Sequence, residues 1–267
     1  MSAPLSFFRA TGRLLAFAWV LVSAAVALAW HRRDLAARAR WLHVACRRAL
    51  RVLGVRCFAV GTASVGPGTI IVANHVGYLD ILVLAATRPV VFVAKREVAS
   101  WPLFGWFARG AGTRFVDRER RGDVARVAAE FAPAIAAGVS VVLFLEGTST
   151  DGRTVKPFKS SLLAPAVAAH WVVVPAALSY GLPAGHDVAE EVCWWGDRTL
   201  LPHLLHLFTL PRIAAYVAWG AAEPAGGDRK ALAARLHAHV SRLHTALHKD
   251  PQEMFAAPTS AGEIAFT

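Results

Sequence analysis

Short apolar runs recur along the middle of the chain, and polar or charged residues follow directly after most of them. The runs are rich in Val, Ile and Leu, which is typical of buried strands, and segments with helical spacing separate several of them. This alternation predicts an α/β fold. Strands are predicted at 55–60, 70–73, 89–94, 139–145, 171–178 and 213–219, with a shorter one within 110–118. Helices are predicted at 33–53, 80–86, 123–137, 158–170 and 200–210, with a last helix that Asp228 caps and that ends near 249.

The longest apolar segment lies near the N-terminus, where residues 14–30 form a run of 17 without a charged residue. This length is at the short limit for a spanning helix. The segment is consistent with a cleaved signal peptide, with a single span, or with a monotopic anchor whose tryptophans lie at headgroup depth. More basic residues follow the run than precede it, and such residues keep their side cytoplasmic. We therefore predict an uncleaved anchor, monotopic or spanning once, at the cytoplasmic face of the inner membrane.

The remainder of the chain contains no linker rich in Pro or Ser and no internal repeat. We therefore predict three parts. Residues 1–53 form membrane-anchoring helices, residues 54–250 form one α/β domain, and residues 251–267 form a loose C-terminal tail.

The composition favours a membrane-associated globular protein. Hydrophobic residues make up 55% of the chain and the mean hydropathy is +0.43, which is high for a soluble domain but low for a protein with several spans. The net charge of +11 favours an anionic partner such as a lipid surface or an acidic carrier. No zinc-finger or RNA-binding signature is present, so we expect no nucleic-acid partner. The three cysteines are far apart and form no Cys-x2-Cys pair, which argues against a disulfide framework and structural zinc.

The predicted strand at 70–73 ends in Asn74 and His75, and Asp80 follows five residues after the histidine. On one continuous helix, side chains five residues apart point about 140° away from each other. The two side chains can therefore meet only if the chain turns between them, and Gly77 would permit that turn. We predict that His75 lies in the turn and that Asp80 lies in the first turn of the next helix. A carboxylate in that position can hold the imidazole in one tautomer while its other nitrogen accepts a proton.

Polar residues also follow three other predicted strands. These residues are Lys95 and Glu97, Asp117 and Arg118, and the segment from Glu146 through Gly147 to Thr148. Ligands of open α/β sheets bind outside the carboxyl ends of the strands. The four strand ends therefore predict one site.

In order and spacing, these residues resemble the glycerolipid acyltransferase family, which contains bacterial 1-acylglycerol-3-phosphate acyltransferase. The resemblance covers about residues 70–180 and depends on several blocks together, because no single block is specific. The blocks are Asn74, His75 and Asp80; Lys95, Glu97, Pro102 and Gly105; Gly112 with Phe115-Val-Asp-Arg118; Phe144-Leu-Glu-Gly-Thr148; and Val173-Val-Pro175.

The resemblance implies a mixed, largely parallel sheet flanked by helices, behind an N-terminal hydrophobic helical anchor. It implies an O-acyltransferase that moves a fatty acyl chain from acyl carrier protein or coenzyme A to a lysolipid, with no other cofactor and no metal. An acyl thioester is already activated, so the reaction needs a base for the alcohol rather than a covalent nucleophile, and His75 oriented by Asp80 is expected to supply it. The remaining residues expected to bind substrate are Asn74, Lys95, Arg118, Glu146, Gly147 and Thr148.

Two positions depart from the family pattern. Leu145 replaces the usual proline, and Ser149 stands where many phosphatidate-forming members have an arginine that would bind phosphate. The segments 151–161 and 196–203 resemble a branch that includes lyso-ornithine lipid acyltransferases. The acceptor that we expect first is 1-acyl-sn-glycerol-3-phosphate, the commonest of the wider family, and lyso-ornithine lipid is the alternative. A non-catalytic membrane-binding homologue and a hydrolase that passes the acyl group to water are hypotheses of other classes.

Overall fold

The computed structural model describes residues 3–60, 65–101, 104–117, 122, 126–127, 129–248 and 262–264. Short 3-10 turns occupy Arg96–Ser100 and Ser161–Leu163. The helices are α1 (Ala3–Trp30), α2 (Leu35–Leu53), α3 (Leu79–Thr87), α4 (Phe104–Ala111), α5 (Phe131–Ala136), α6 (Ala164–Ala168), α7 (Val188–Glu191), α8 (Leu200–Thr209) and α9 (Arg229–Leu247). The strands are β1 (Val55–Val60), β2 (Ile70–Ala73), β3 (Val90–Lys95), β4 (Arg114–Val116), β5 (Ser140–Phe144), β6 (Val172–Gly181), β7 (Ile213–Trp219), β8 (Glu223–Pro224) and β9 (Gly262–Glu263).

The described strands form one mixed sheet of nine strands, in the order β4-β3-β5-β2-β6-β7-β1-β9, with β8 paired to β6. The five strands from β4 to β6 run parallel to their neighbours. β7 then runs antiparallel to β6, and β1 is parallel to β7. The predicted α/β fold with a mixed, largely parallel sheet is confirmed.

Helices cover both faces of the sheet. Ile71 and Ala73 of β2 pack with α2 and α3 on one face, whereas Ile70 and Val72 pack with α5 and α9 on the other. All four side chains are fully buried. A strand buried on both faces is a continuous apolar run rather than an alternating one, which explains why 70–73 contains no polar residue.

The first two helices lie side by side against the rest of the chain. Asp34 caps α2 by accepting a hydrogen bond from the Ala37 N–H at 2.9 Å, and Gly54 ends the helix with a φ of +75°. Every fourth residue from Val20 through Ala24 to Leu28 is buried and faces the protein, so α1 packs along one stripe.

α1 is attached near both of its ends. Toward the N-terminal end, Arg9 donates to the carbonyl of Thr209 at 2.7 Å, and Arg13, one turn further on, donates to the carbonyls of Phe208 and Leu210 at 3.1 and 2.6 Å, close to the end of α8. At the other end, Leu28 packs so close to Gly110 of α4 that a Cβ on the glycine would lie 3.3 Å from the leucine side chain. The outer face of α1 exposes large apolar side chains, with Leu15, Trp19, Val22, Val26 and Trp30 each more than half exposed. Residues Phe8–Trp30 are long and apolar enough to cross a membrane.

The structure differs from the predicted elements at three places. Residues 158–170 form only a 3-10 turn and the short helix α6, because the Lys159 N–H is bonded to the Leu145 carbonyl at 2.9 Å and holds the preceding segment over the end of β5. β6 continues to Gly181, beyond the predicted end, because β7 pairs with it as far as Ala214, and α7 interrupts the predicted loop 181–197. In the predicted loose tail, Gly262–Glu263 pairs with the outer edge of β1, whose other edge pairs with β7.

Of the predicted helix 123–137, the described part is α5 together with isolated residues before it. Residues 123–125 and 128 lie outside the described part of the chain.

Candidate active site

The site lies where parallel strands end at one edge of the sheet. Ala73, the last residue of β2, pairs with Phe144 of β5 on one side and with Ala176 of β6 on the other. The residues that follow β2 and β5 therefore leave the sheet next to each other. This register brings His75 and Glu146 together.

The predicted contact between His75 and Asp80 is present. The imidazole Nδ1 lies 2.8 Å from Asp80 Oδ2, and Asp80 is in the first turn of α3. The explanation offered for Gly77 is wrong, because this glycine does not adopt a positive φ. A Cβ at Gly77 would lie 3.0 Å from the backbone nitrogen of Trp194, so the glycine is required by close packing against that segment.

The Asp80 carboxylate is completely buried and is surrounded by donors. Oδ2 accepts the backbone N–H groups of Val76 at 2.7 Å and Gly77 at 3.1 Å, in addition to the contact with His75. Oδ1 accepts the hydroxyl of Tyr180 at 2.6 Å. A buried carboxylate is tolerated when hydrogen bonds satisfy its oxygens, so this shell holds the charge in place beneath the imidazole.

Tyr180 is a residue that the sequence did not indicate. It lies near the end of β6, 100 residues from its partner Asp80. Burial, together with the neighbouring carboxylate, raises the pKa of Tyr180 well above its ordinary value, so its hydroxyl keeps its proton and donates it to Asp80.

The His75 ring is held on a second side by Phe144, with the two rings stacked 4.1 Å apart at an angle of 16°. An Nδ1–H that donates to Asp80 leaves Nε2 unprotonated in the neutral ring. The side chain is 20% exposed, so Nε2 is available to an incoming hydroxyl. The Thr150 N–H fixes the backbone by donating to the His75 carbonyl at 3.0 Å.

Glu146 is buried and acts on the backbone of the site. Its two carboxylate oxygens accept the N–H groups of His75 at 2.7 Å and Lys156 at 2.8 Å. Burial raises the pKa of Glu146 to about 7, against the opposing effect of these two hydrogen bonds. Both oxygens bond backbone N–H groups and the residue is only 4% exposed, so the geometry indicates a positioning group for His75, and direct binding of substrate by Glu146 stays a prediction.

Two backbone donors are expected after Glu146, the N–H groups of Gly147 and Thr148, and the first of them is already used within the chain. Gly147 has a φ of +83°, which favours glycine, and its N–H is directed to the Phe144 carbonyl at 3.3 Å. Thr148 is exposed at the edge of the site. Its hydroxyl is directed to the Ser149 carbonyl at 3.4 Å, a long contact that a ligand could replace.

Asn74 differs from its expected role in substrate binding. Its side-chain oxygen accepts the Leu178 N–H at 2.7 Å, and its amide donates to the Leu178 carbonyl at 3.0 Å. The side chain is buried, and both of its polar groups are used to join the end of β2 to β6. Its contribution is to hold the strand from which His75 emerges.

Of the two basic residues expected at the site, Lys95 and Arg118, the structure describes only Lys95. Lys95 is exposed at the end of β3, which β5 separates from β2 in the sheet. It lies at the correct edge without contacting His75. Arg118 lies outside the described residues; the last described residue before it, Asp117, directly follows β4.

The pKa of Glu146 predicts a dependence of stability on pH. An ordinary glutamate titrates near 4.5, and the folded protein holds this proton up to about 7, so the folded state binds more protons in this window and is destabilised as the pH rises through it. Relative to Glu146→Gln, the free energy of unfolding of the unmodified protein should fall by up to about 3 kcal/mol across that window. Urea unfolding at a series of pH values measures this difference.

Glu97→Gln is the matched control, because Glu97 is exposed and the substitution makes the same chemical change. It should leave the pH dependence of unfolding unchanged. Parallel curves for the unmodified protein and Glu146→Gln would contradict the assignment of the titration to Glu146.

The chain is similar to proteins of known activity. The Acyltransferase family model matches residues 56–179. A lyso-ornithine lipid O-acyltransferase from Brucella abortus is 39% identical over 208 residues, which cover 72% of this chain and 77% of the relative. A 1-acyl-sn-glycerol-3-phosphate acyltransferase from Neisseria gonorrhoeae is 33% identical over 136 residues, covering 48% of this chain and 53% of the relative.

The fold is also similar to a solved structure, that of the 1-acyl-sn-glycerophosphate acyltransferase PlsC from Thermotoga maritima. The TM-score is 0.63 over 91% of this chain and 98% of the other, at 19% identity. At that identity the likeness concerns the fold alone.

Proposed function

The chain belongs to the acyltransferase family, and from that premise we propose that it transfers a fatty acyl chain to the free hydroxyl of a lysolipid, with lyso-ornithine lipid as the acceptor. The observation that carries the proposal is the His75–Asp80 pair, at 2.8 Å, at the open edge of the sheet. The pair supplies the base that an alcohol needs in order to attack a thioester.

The proposal places lyso-ornithine lipid before 1-acyl-sn-glycerol-3-phosphate, which is the reverse of the order expected from the sequence. The relative from Brucella aligns over more of this chain than the phosphate-lipid relative and is more similar to it. Ser149 also favours lyso-ornithine lipid, because a serine at this position lacks the positive charge with which an arginine would bind an acceptor phosphate.

The proposed reaction begins with the acceptor hydroxyl bonded to His75 Nε2. As the hydroxyl oxygen attacks the thioester carbonyl, its proton moves to Nε2, and the Asp80 carboxylate stabilises the imidazolium that forms. The C–S bond of the tetrahedral intermediate then breaks. The proton returns from Nε2 to the departing thiolate, so the products are an ester and a free thiol. Acyl carrier protein and coenzyme A are the two donors that the proposal admits.

The structure supports a place for this reaction at a membrane surface. α1 is 28 residues long, about 42 Å, and is attached near both ends to the same body of protein. A helix held in this way cannot stand across a bilayer unless the domain enters the bilayer too. Its exposed face of leucine, valine and tryptophan fits a helix lying in the interface, which favours the monotopic form of the predicted anchor.

A product assay tests the acceptor. The purified protein is incubated with an acyl thioester and, separately, with lyso-ornithine lipid and with 1-acyl-sn-glycerol-3-phosphate, and the lipids are identified by mass spectrometry. We expect the diacylated ornithine lipid to form at least tenfold faster than phosphatidic acid, a difference of about 1.4 kcal/mol in barrier height.

The assay also separates the other hypotheses. Faster formation of phosphatidic acid would contradict the acceptor proposal, and thioester loss that is independent of acceptor would indicate a hydrolase. The absence of any acyl transfer would favour a non-catalytic membrane-binding protein.

A further inference from the structure

A pocket of about 420 Å³ opens where α1 and the end of α2 meet the beginnings of β1 and β7. Four arginines and one carboxylate line it: Arg13, Arg51, Arg56, Arg212 and Glu263. We call this the arginine pocket. It contains none of the residues of the candidate active site.

The arginine pocket lies at the same edge of the sheet as His75. β7 is antiparallel to β6, and its residue Ala214 pairs with Gly181 at the end of β6. β1 is parallel to β7, with Val55 opposite Ile213. The beginnings of β1 and β7 therefore lie beside the carboxyl end of β6. β1 is three strands from β2, about 14 Å along the edge.

The positive charge of the pocket is built into the fold. Arg13 is fixed by hydrogen bonds to the carbonyls of Phe208, Leu210 and Pro211, so its guanidinium cannot swing away. Burial is the main cause that lowers the pKa of Arg13, and the nearby Arg9 adds to it. Burial and the nearby charge of Arg9 both disfavour the charged guanidinium of Arg13, and an anion in the pocket would stabilise it.

The other charges in the pocket are only partly balanced. Arg56 makes two parallel hydrogen bonds to Glu263, at 2.9 and 2.6 Å, and Arg212 also interacts with this carboxylate. Arg51 has a further partner and is left out of this balance. Arg13, Arg56 and Arg212 against Glu263 give these described lining residues a formal charge of +2. Glu263 is the sole carboxylate among the described lining residues, and it occupies the place that a bound anion would take.

We propose that the arginine pocket binds a phosphate group. Guanidinium groups match phosphate oxygens in pairs, and a doubly charged anion balances the excess of arginine better than a carboxylate does. The volume admits a phosphate with part of the molecule that carries it. Two sources share this chemistry: the headgroup of an anionic phospholipid beside α1, and a phosphate of the acyl donor, whose thioester must reach the same edge.

Equilibrium dialysis of the full chain in uncharged detergent against radiolabelled inorganic phosphate tests the proposal. Saturable binding is expected. Arg212→Gln should weaken it about tenfold, which corresponds to about 1.4 kcal/mol. Glu263→Gln should strengthen it, because the competing carboxylate is removed. Arg242→Gln, which removes the same charge from an exposed position on α9, should leave the affinity within about twofold of the unmodified protein, about 0.4 kcal/mol.

Competition identifies the source of the phosphate. Dihexanoylphosphatidylglycerol and adenosine 3′,5′-bisphosphate are each titrated against bound phosphate, and the one that displaces it at lower concentration indicates a lipid or a coenzyme. Three results would overturn the proposal: absence of saturable binding, equal effects of Arg212→Gln and Arg242→Gln, or weaker binding by Glu263→Gln. None of these results depends on the proposed acyl transfer.

Discussion

Replacing His75 with alanine is expected to lower the rate of acyl transfer by about 10³-fold, because a positioned general base contributes on that scale. The substitution removes the nitrogen that is proposed to accept the hydroxyl proton and leaves the other hydrogen bonds to Asp80 in place. Product formation from the preferred lysolipid under saturating donor measures the effect. Membrane binding should not change, because α1 lies outside the substituted site.

His206→Ala is the matched control for this experiment. His206 also bonds a carboxylate, Glu191 at 3.0 Å, but its side chain is 44% exposed on α8, and its described contacts include none of the candidate active-site residues. We expect its activity to stay within about twofold of the unmodified protein, about 0.4 kcal/mol in barrier height. If His75→Ala retained activity comparable to this control, the assignment of the base would be wrong.

Asp80→Asn is expected to produce the second largest loss, about 10²- to 10³-fold in kcat. An asparagine can keep its oxygen toward His75 and the two backbone N–H groups while its amide faces Tyr180, so the fold should survive. The variant loses the negative charge that is proposed to stabilise the imidazolium. Because that charge acts while the proton is being transferred, kcat should fall more than KM changes.

Tyr180→Phe gives a graded comparison with Asp80→Asn. It removes one of four donors to the carboxylate and preserves the charge, so kcat should fall by about tenfold or less, the effect of one hydrogen bond. Thermal unfolding of both variants checks that each remains folded. An Asp80→Asn variant with full kcat would exclude an electrostatic role for this carboxylate.

The local parts of the site could be predicted from the sequence. The spacing of His75 and Asp80 forces a turn between them, and the structure has that turn. The strand ends at residues 74 and 146 follow from apolar runs whose length is plain in the sequence. Such features depend on neighbours in the chain, for which spacing is sufficient evidence.

The remaining parts depend on contacts between distant segments. Tyr180 reaches Asp80 only because β6 continues beyond its predicted end and β2 lies beside it. Trp194 approaches Gly77 from a loop more than a hundred residues away. The Glu146 oxygens face backbone N–H groups because the ends of β2 and β5 lie next to each other in the sheet. Periodicity contains no information about such pairings.

The attachment of α1 at both ends has a kinetic consequence. With that helix in the bilayer surface, as proposed, the height and tilt of the sheet edge above the lipid are fixed, and the enzyme meets its acceptor by lateral diffusion. Its turnover should then follow the mole fraction of lysolipid within the membrane, so diluting that lipid with inert phospholipid should slow the reaction at constant bulk concentration.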